Sequence, residues 1–211
     1  MTGPTHKQFA ITFAFIAAII FNSVNFMTFK ADTRGIWYYA GLLIMLEFGK
    51  KGALFPDVDH DWDYVKEKTV PNRILNILIH LTGGRHRSWQ THSLDLSIIF
   101  TCLSYEIPVM LYNKGLISIS NKYIIMIIML GFASGWLSHM FSDMLNGVGI
   151  RLLFWCSKTI ALVPRKFLSI EFKTGEEWES FCFTTTRIIN MALGVIAIVF
   201  PLIKEGIVRI A

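Results

Sequence analysis

At 211 residues with 53% hydrophobic side chains and a mean hydropathy of +0.49, the chain is too apolar for an ordinary soluble fold and long enough for several membrane-spanning helices. A net charge of +5 and a pI of about 9.2 would suit nucleic acid, but the 20 Lys and Arg residues lie beside apolar runs rather than in one basic stripe. That pattern excludes a nucleic-acid partner and fits orientation in a lipid bilayer. Cys102, Cys156 and Cys182 form no Cys-x-x-Cys pair, which excludes a zinc ribbon or redox motif, and they read as free thiols.

The first apolar run extends from Gln8 to Phe29. It is longer than a signal-peptide core and lacks a small-x-small cleavage site, so it is expected to remain as a first helix. Ile36 to Phe48 is a second run that can extend through Gly52 and Ala53 toward Pro56. A polar segment from Asp57 to Thr91 follows, holding Ile74 to Leu81 as a short amphipathic helix at the membrane interface. Leu94 to Tyr112, interrupted by Glu106 and Pro108, is the third run, and Tyr123 to Leu145 the fourth. Arg151 to Phe183 is mixed and peripheral, with Thr174-Gly175-Glu176-Glu177 spaced as a helix capping box. Ile188 to Ile203 is the last run. The expected fold is therefore a single all-α domain: a polytopic membrane protein with about five transmembrane helices plus short interfacial ones.

Positive charge collects on the cytoplasmic side of short loops. With the N-terminus inside, only Lys30, Arg34, Lys114, Lys122, Lys204 and Arg209 of the 20 basic residues fall outside. This predicts a plasma-membrane protein with a cytoplasmic N-terminus, and it brings His6, the Asp57 to His92 segment, His139 and Asp143 to the cytoplasmic face.

Those residues carry the chemistry. Leu54 to His60 and His86 to Ser93 place two carboxylates and three imidazoles in a mostly apolar chain, a donor set suited to Zn, with Mn or Fe as alternatives. His139 and Asp143 are four residues apart, so on a helix they share a face and can bind one ion or two adjacent ions; the competing assignment is a polar helix cap at the interface. Asp57 and Asp59 follow Pro56 and are either ligands or turn caps. His60 is a ligand or orients one. His86 and His92 flank Arg87, whose guanidinium either grips a phosphate or reaches lipid headgroups. His80, within an apolar stretch, is structural. His6 joins the cluster through its place at the inner end of the first helix. The expected metal ligands are thus His6, Asp57, Asp59, His60, His86, His92, His139 and Asp143, holding one to three ions.

Together, Thr5-His6, Phe55-Pro56-Asp57-Val58-Asp59-His60, His86-Arg87, Thr91-His92-Ser93, Ser138-His139 with Asp143, Gly149-Ile150 and Thr174-Gly175 with Glu179 resemble a family of bacterial and archaeal inner-membrane metal-dependent hydrolases named for a LexA-regulated member. The Pro-Asp-x-Asp, Thr-His-Ser and His-x-x-x-Asp pattern is more remotely similar to zinc-dependent phospholipase C. The resemblance implies a metal-dependent hydrolase and makes Glu179 a candidate acid, either backing the site or merely solvated. The His86 to His92 interval is one residue longer than the family's usual spacing, and Asn146 stands where threonine is common.

The expected function is hydrolysis of a phosphoester or other ester by metal-activated water. The substrate would be a lipid or lipid-linked molecule, with Asp57, Asp59, Arg87 and Glu179 as catalytic residues. A transporter or a metal-ion or proton carrier built on the same cluster is the alternative.

Overall fold

Backbone N–H and C=O groups in lipid must be satisfied within helices or closed sheets, and the computed structural model is mostly helical. It describes residues 2–23, 34–146, 149–163, 166–167, 170–171 and 175–204. In chain order the helices are α1 (Gly3–Ser23), α2 (Arg34–Leu54), α3 (Val70–Leu81), α4 (Trp89–His92), α5 (Leu94–Asn113), α6 (Ile119–Met144) and α7 (Glu177–Lys204). Leu94–Asn113, Ile119–Met144 and Glu177–Val199 are long and apolar enough to cross a membrane.

Several boundaries differ from expectation for local reasons. α1 begins at Gly3, which puts His6 on the helix itself; residues 24–33, including the expected end of the first run, lie outside the described residues. α3 begins at Val70 rather than Ile74, because Thr69 Oγ1 accepts from the Asn72 amide and Pro71 suits the first turn. Pro108 is buried inside α5 without ending it. α7 starts well before Ile188, with Glu177 and Glu179 in its first turn complementing the helix dipole. The expected cap Thr174 lies outside the described residues.

The all-α expectation needs one amendment. Two antiparallel ribbons, β1 (Ile150–Arg151) with β2 (Thr159–Ile160) and β3 (Lys166–Phe167) with β4 (Ile170–Glu171), occupy the mixed segment. Strands of two residues have no periodicity to read. Asp95 of α5 ties the first ribbon down by accepting from the Phe154 amide at 3.1 Å.

Packing centres on α6, around buried Met45, Met126 and Leu130, with Ala14 and Ala18 of α1 against them. α2 and α6 run parallel and touch backbone to backbone. A Cβ on Gly135 would fall onto the Gly49 carbonyl, one on Gly52 onto the Phe132 carbonyl, and one on Gly131 within 2.8 Å of the Met45 carbonyl. Small residues at such spacing permit close helix approach in membranes. The helices alternate in direction so that the starts of α1, α5 and α7 and the ends of α2 and α6 meet at one end of the bundle, where Thr2 bonds Glu179, Ala53 bonds His139 and Thr91 bonds Trp136.

Gly135→Ala should therefore destabilise the fold by about 1–3 kcal/mol or more, as overpacking does, while Gly194→Ala, whose Cβ would meet nothing nearer than Phe15 at 3.4 Å, should be tolerated. Thermal unfolding of the two variants in detergent, followed by circular dichroism, checks this.

Candidate metal centre

Pro56 ends the α2 hydrogen-bond ladder and starts a 3-10 turn, Pro56–Asp59, that buries Val58 and Asp59. Asn76 of α3 fastens this turn, donating from Nδ2 to the carbonyls of Val58 (2.6 Å) and His60 (2.8 Å). α4 is anchored from the opposite side by the Trp136 indole, which donates to the Thr91 carbonyl at 2.9 Å.

Asp59 joins these two pieces. Its carboxylate has no solvent exposure and accepts from His86 Nδ1 (3.2 Å), His92 Nδ1 (3.0 Å), the Ser88 amide (3.0 Å) and Thr91 Oγ1 (2.6 Å). Burial pushes the carboxyl pKa up, but the bonds from His86, His92 and Thr91 outweigh it and hold Asp59 well below the ordinary carboxylate range. Asp59, expected as a ligand and catalytic acid, has both oxygens engaged and lies outside both groups of converging donors. It orients histidines from behind, as carboxylates do around metal-ligating imidazoles.

The hydrogen bonds settle the tautomers. His92 gives its Nδ1 proton to Asp59, and His139 gives its own to the Ala53 carbonyl at 2.6 Å. Ser142 Oγ donates to the His139 carbonyl at 2.9 Å and so must accept from His6 Nδ1 at 2.5 Å. With the proton on Nδ1, each ring in its neutral form has its lone pair on Nε2. Nε2 of His92 and of His139 are buried with no hydrogen-bond partner, an arrangement that costs about 1–3 kcal/mol per group.

All three Nε2 atoms turn toward Asp143. His6 Nε2 lies 3.7 Å from its Oδ1, and His139 Nε2 and His92 Nε2 lie 3.6 and 3.8 Å from its Oδ2; Asp57 Oδ1 is 3.7 Å from His139 Nε2. These separations are too long for hydrogen bonds and close to the roughly 3.3–3.5 Å between donors around one tetrahedral ion with bonds near 2.1 Å. Two groups of donors within 4.8 Å of one another result: His6, His139 and Asp143, and Asp57, His92 and His139. The orphaned nitrogens and the nitrogen-oxygen donor set fit a divalent metal. The stacked His6 and His139 rings, with centroids 3.8 Å apart, hold the first group rigid.

Around this centre the remaining expected residues take other places. His60 Nδ1 accepts from the Asp61 amide at 3.0 Å, so its neutral ring carries the proton on Nε2 and offers a donor instead of a ligand. Burial and the neighbouring His86 lower its pKa. His86 also lies outside both groups, facing a cavity of about 270 Å³ together with His6, Asp57, His60, Arg87 and Asp143. Arg87 reaches Asp143 Oδ2 at 3.3 Å and the Gly149 carbonyl at 3.2 Å. Its φ of 63° is the left-handed conformation that non-glycine residues adopt at a cost. Glu179 is buried and accepts from the Thr2 amide and hydroxyl, Thr5 Oγ1 and the Gly175 amide, so it secures the first turn of α1 that carries His6. His80 is exposed on α3.

Ser142 and Ser88 were not anticipated as part of the site. Ser142 stands three residues after His139 on the same helical face, a signal that spacing could have exposed; Ser88 acts mainly through its backbone amide, which no residue type reveals.

Asp59→Asn should keep the fold but can no longer accept from both His86 and His92, so metal affinity should fall about 10- to 100-fold. Chelator-competition titration of the folded variant checks it.

No curated protein and no solved structure matches the chain. A family model described as YdjM inner membrane protein matches residues 1–208, and the three helices able to cross a membrane agree with that location. The chain belongs to the YdjM inner membrane protein family.

Proposed function

We propose that the protein is a membrane metal-dependent hydrolase acting on a phosphoester or other ester of a lipid or lipid-linked substrate. One observation carries this reading: three imidazole Nε2 lone pairs converge with two carboxylates at 3.6 to 3.8 Å, and two of those nitrogens are buried without a partner. A divalent ion held there, zinc by its donor set with Mn or Fe also accommodated, would acidify a water and stabilise negative charge developing on the ester.

The chain's own residues supply the rest. His6, His92, His139, Asp57 and Asp143 bind; Asp59, Ser142 and the Ala53 carbonyl keep the imidazoles in the ligating tautomer. Asp57, half-buried on the cavity wall, is placed to take a proton from water. Arg87 and His60 offer donors to an anionic oxygen. A carrier needs ionisable groups along a path through the membrane; among the described residues the His and Asp donor groups gather at one end of the bundle, which favours the hydrolase.

That end also carries interface-seeking side chains. Val70, Ile74, Leu78 and Leu81 of α3 and Trp155 beyond β1 are exposed apolar groups, as expected of a surface that meets lipid headgroups. With the basic-residue asymmetry they support a cytoplasmic N-terminus and a site at the cytoplasmic interface, and the five apolar runs of the sequence support five crossings.

Asp143→Ala and Asp57→Ala should each lower bound metal, read by elemental analysis of purified protein, and abolish hydrolysis of phosphoester lipids, while His80→Ala should do neither. The double acid variant should be scarcely worse than either single one, because both residues act in one unit. Full metal occupancy in folded Asp143→Ala would overturn the shared centre. For orientation, a cysteine placed at Lys114 should label from outside intact cells and one at Lys66 should not; the reverse pattern would invert the topology.

A further inference from the structure

A second cavity adjoins the metal site. It has a volume of about 610 Å³, within the usual range for a ligand pocket, and lies between α1, α2, α7 and the segment leading into α3. Its charged lining is of one sign: Lys7, Lys50 and Lys66 come from three separate segments, and no carboxylate is among its described lining residues. Lys50 pairs with Glu47 at 3.3 Å, an exposed contact too weak to neutralise it. Ile11, Leu54 and Phe183 form the apolar part of the wall. Gly3 and Lys66 line both cavities, and the Lys66 stem packs against Gly3, where an added Cβ would meet it at 3.7 Å. The two spaces are therefore neighbours across one backbone turn and one lysine.

We infer that this groove binds the substrate as a phosphate-bearing anionic lipid, with Lys7, Lys50 and Lys66 around the headgroup and Ile11, Leu54 and Phe183 along the start of the chain. This deepens the hydrolase reading by assigning its substrate class, and rests on that reading for the substrate role. Charge complementarity argues for the occupant: three cations at the mouth of a partly apolar groove, only Lys50 of them with an ion-pair partner among the described residues and that one exposed, favour an anionic amphiphile over a zwitterionic or neutral one. The shared lysine explains how such a headgroup would lie beside Arg87 and Asp143.

The test is binding to the full-length protein in detergent, measured with short-chain phosphatidic acid, short-chain phosphatidylcholine and inorganic phosphate. Phosphatidic acid should bind at least about tenfold more tightly than either of the others, and at least about tenfold more weakly to a Lys7→Gln, Lys50→Gln, Lys66→Gln triple variant. A charge-matched control, Lys68→Gln, Lys114→Gln, Lys158→Gln, should bind like the parent. Asp143→Ala should lose metal yet keep phosphatidic acid affinity, which separates this groove from the metal centre. If the parent holds no metal but binds phosphatidic acid as described, the groove stands and the hydrolase reading falls. Equal binding of phosphatidylcholine, equal binding of inorganic phosphate, an equal loss in the control variant, or loss of lipid with the metal in Asp143→Ala would each overturn the assignment.

Discussion

The backbone contact between α2 and α6 is the constraint on which the site depends. Gly52, Gly131 and Gly135 let the two helices approach so closely that a single added carbon would collide with the opposing main chain. One residue beyond Gly52, the Ala53 carbonyl accepts the His139 Nδ1 proton. The contact thus sets both the distance between the helices and the tautomer of the central ligand. Because the helices run parallel and both end here, the turn after α2 emerges beside the last turn of α6, and Asp57 is delivered to His139 and Asp143.

A second tier of polar groups keeps the donors in place. Asp59 draws His86 and His92 together from one side, Ser142 fixes His6 from another, and Glu179 secures the first turn of α1 through Thr2 and Thr5. Each is a buried group whose bonding capacity is used by its neighbours, so the energetic tension is left at the Nε2 atoms that face the two carboxylates. Buried polar networks rigidify a structure when every member is satisfied. Here the unpartnered Nε2 atoms of His92 and His139 both face Asp143, and that asymmetry is what marks the candidate centre.

The surroundings of the centre are graded. Inward lie imidazoles and carboxylates with almost no exposure; outward lie Arg87, His60 and His86 on the cavity wall, then the lysine-lined groove, then the exposed apolar residues of α3 and the first ribbon. A chain belonging to an inner-membrane family thus presents, at one end of its bundle, apolar surface, cationic groove and ligand cluster in succession.

Much of this was legible beforehand. Apolar runs announced the long helices, because a helix surrounded by lipid is hydrophobic nearly all round and needs no periodicity to be seen. The residue types announced the candidate centre, because histidine and aspartate are rare in such a chain, and the i, i+4 spacing of His139 and Asp143 placed them on one face. The residues could not disclose their division of labour. Asp57 and Asp59 are the same side chain two positions apart, and only the 3-10 turn after Pro56 points one at His139 and buries the other behind His86 and His92. His60 and His92 are likewise the same ring, and a neighbouring amide in one case and a carboxylate in the other decides which nitrogen keeps its proton. The lysine groove was invisible for a similar reason: Lys7, Lys50 and Lys66 are ordinary surface cations in sequence, and they become one feature because parallel and antiparallel helix packing brings three distant segments to the same end of the bundle.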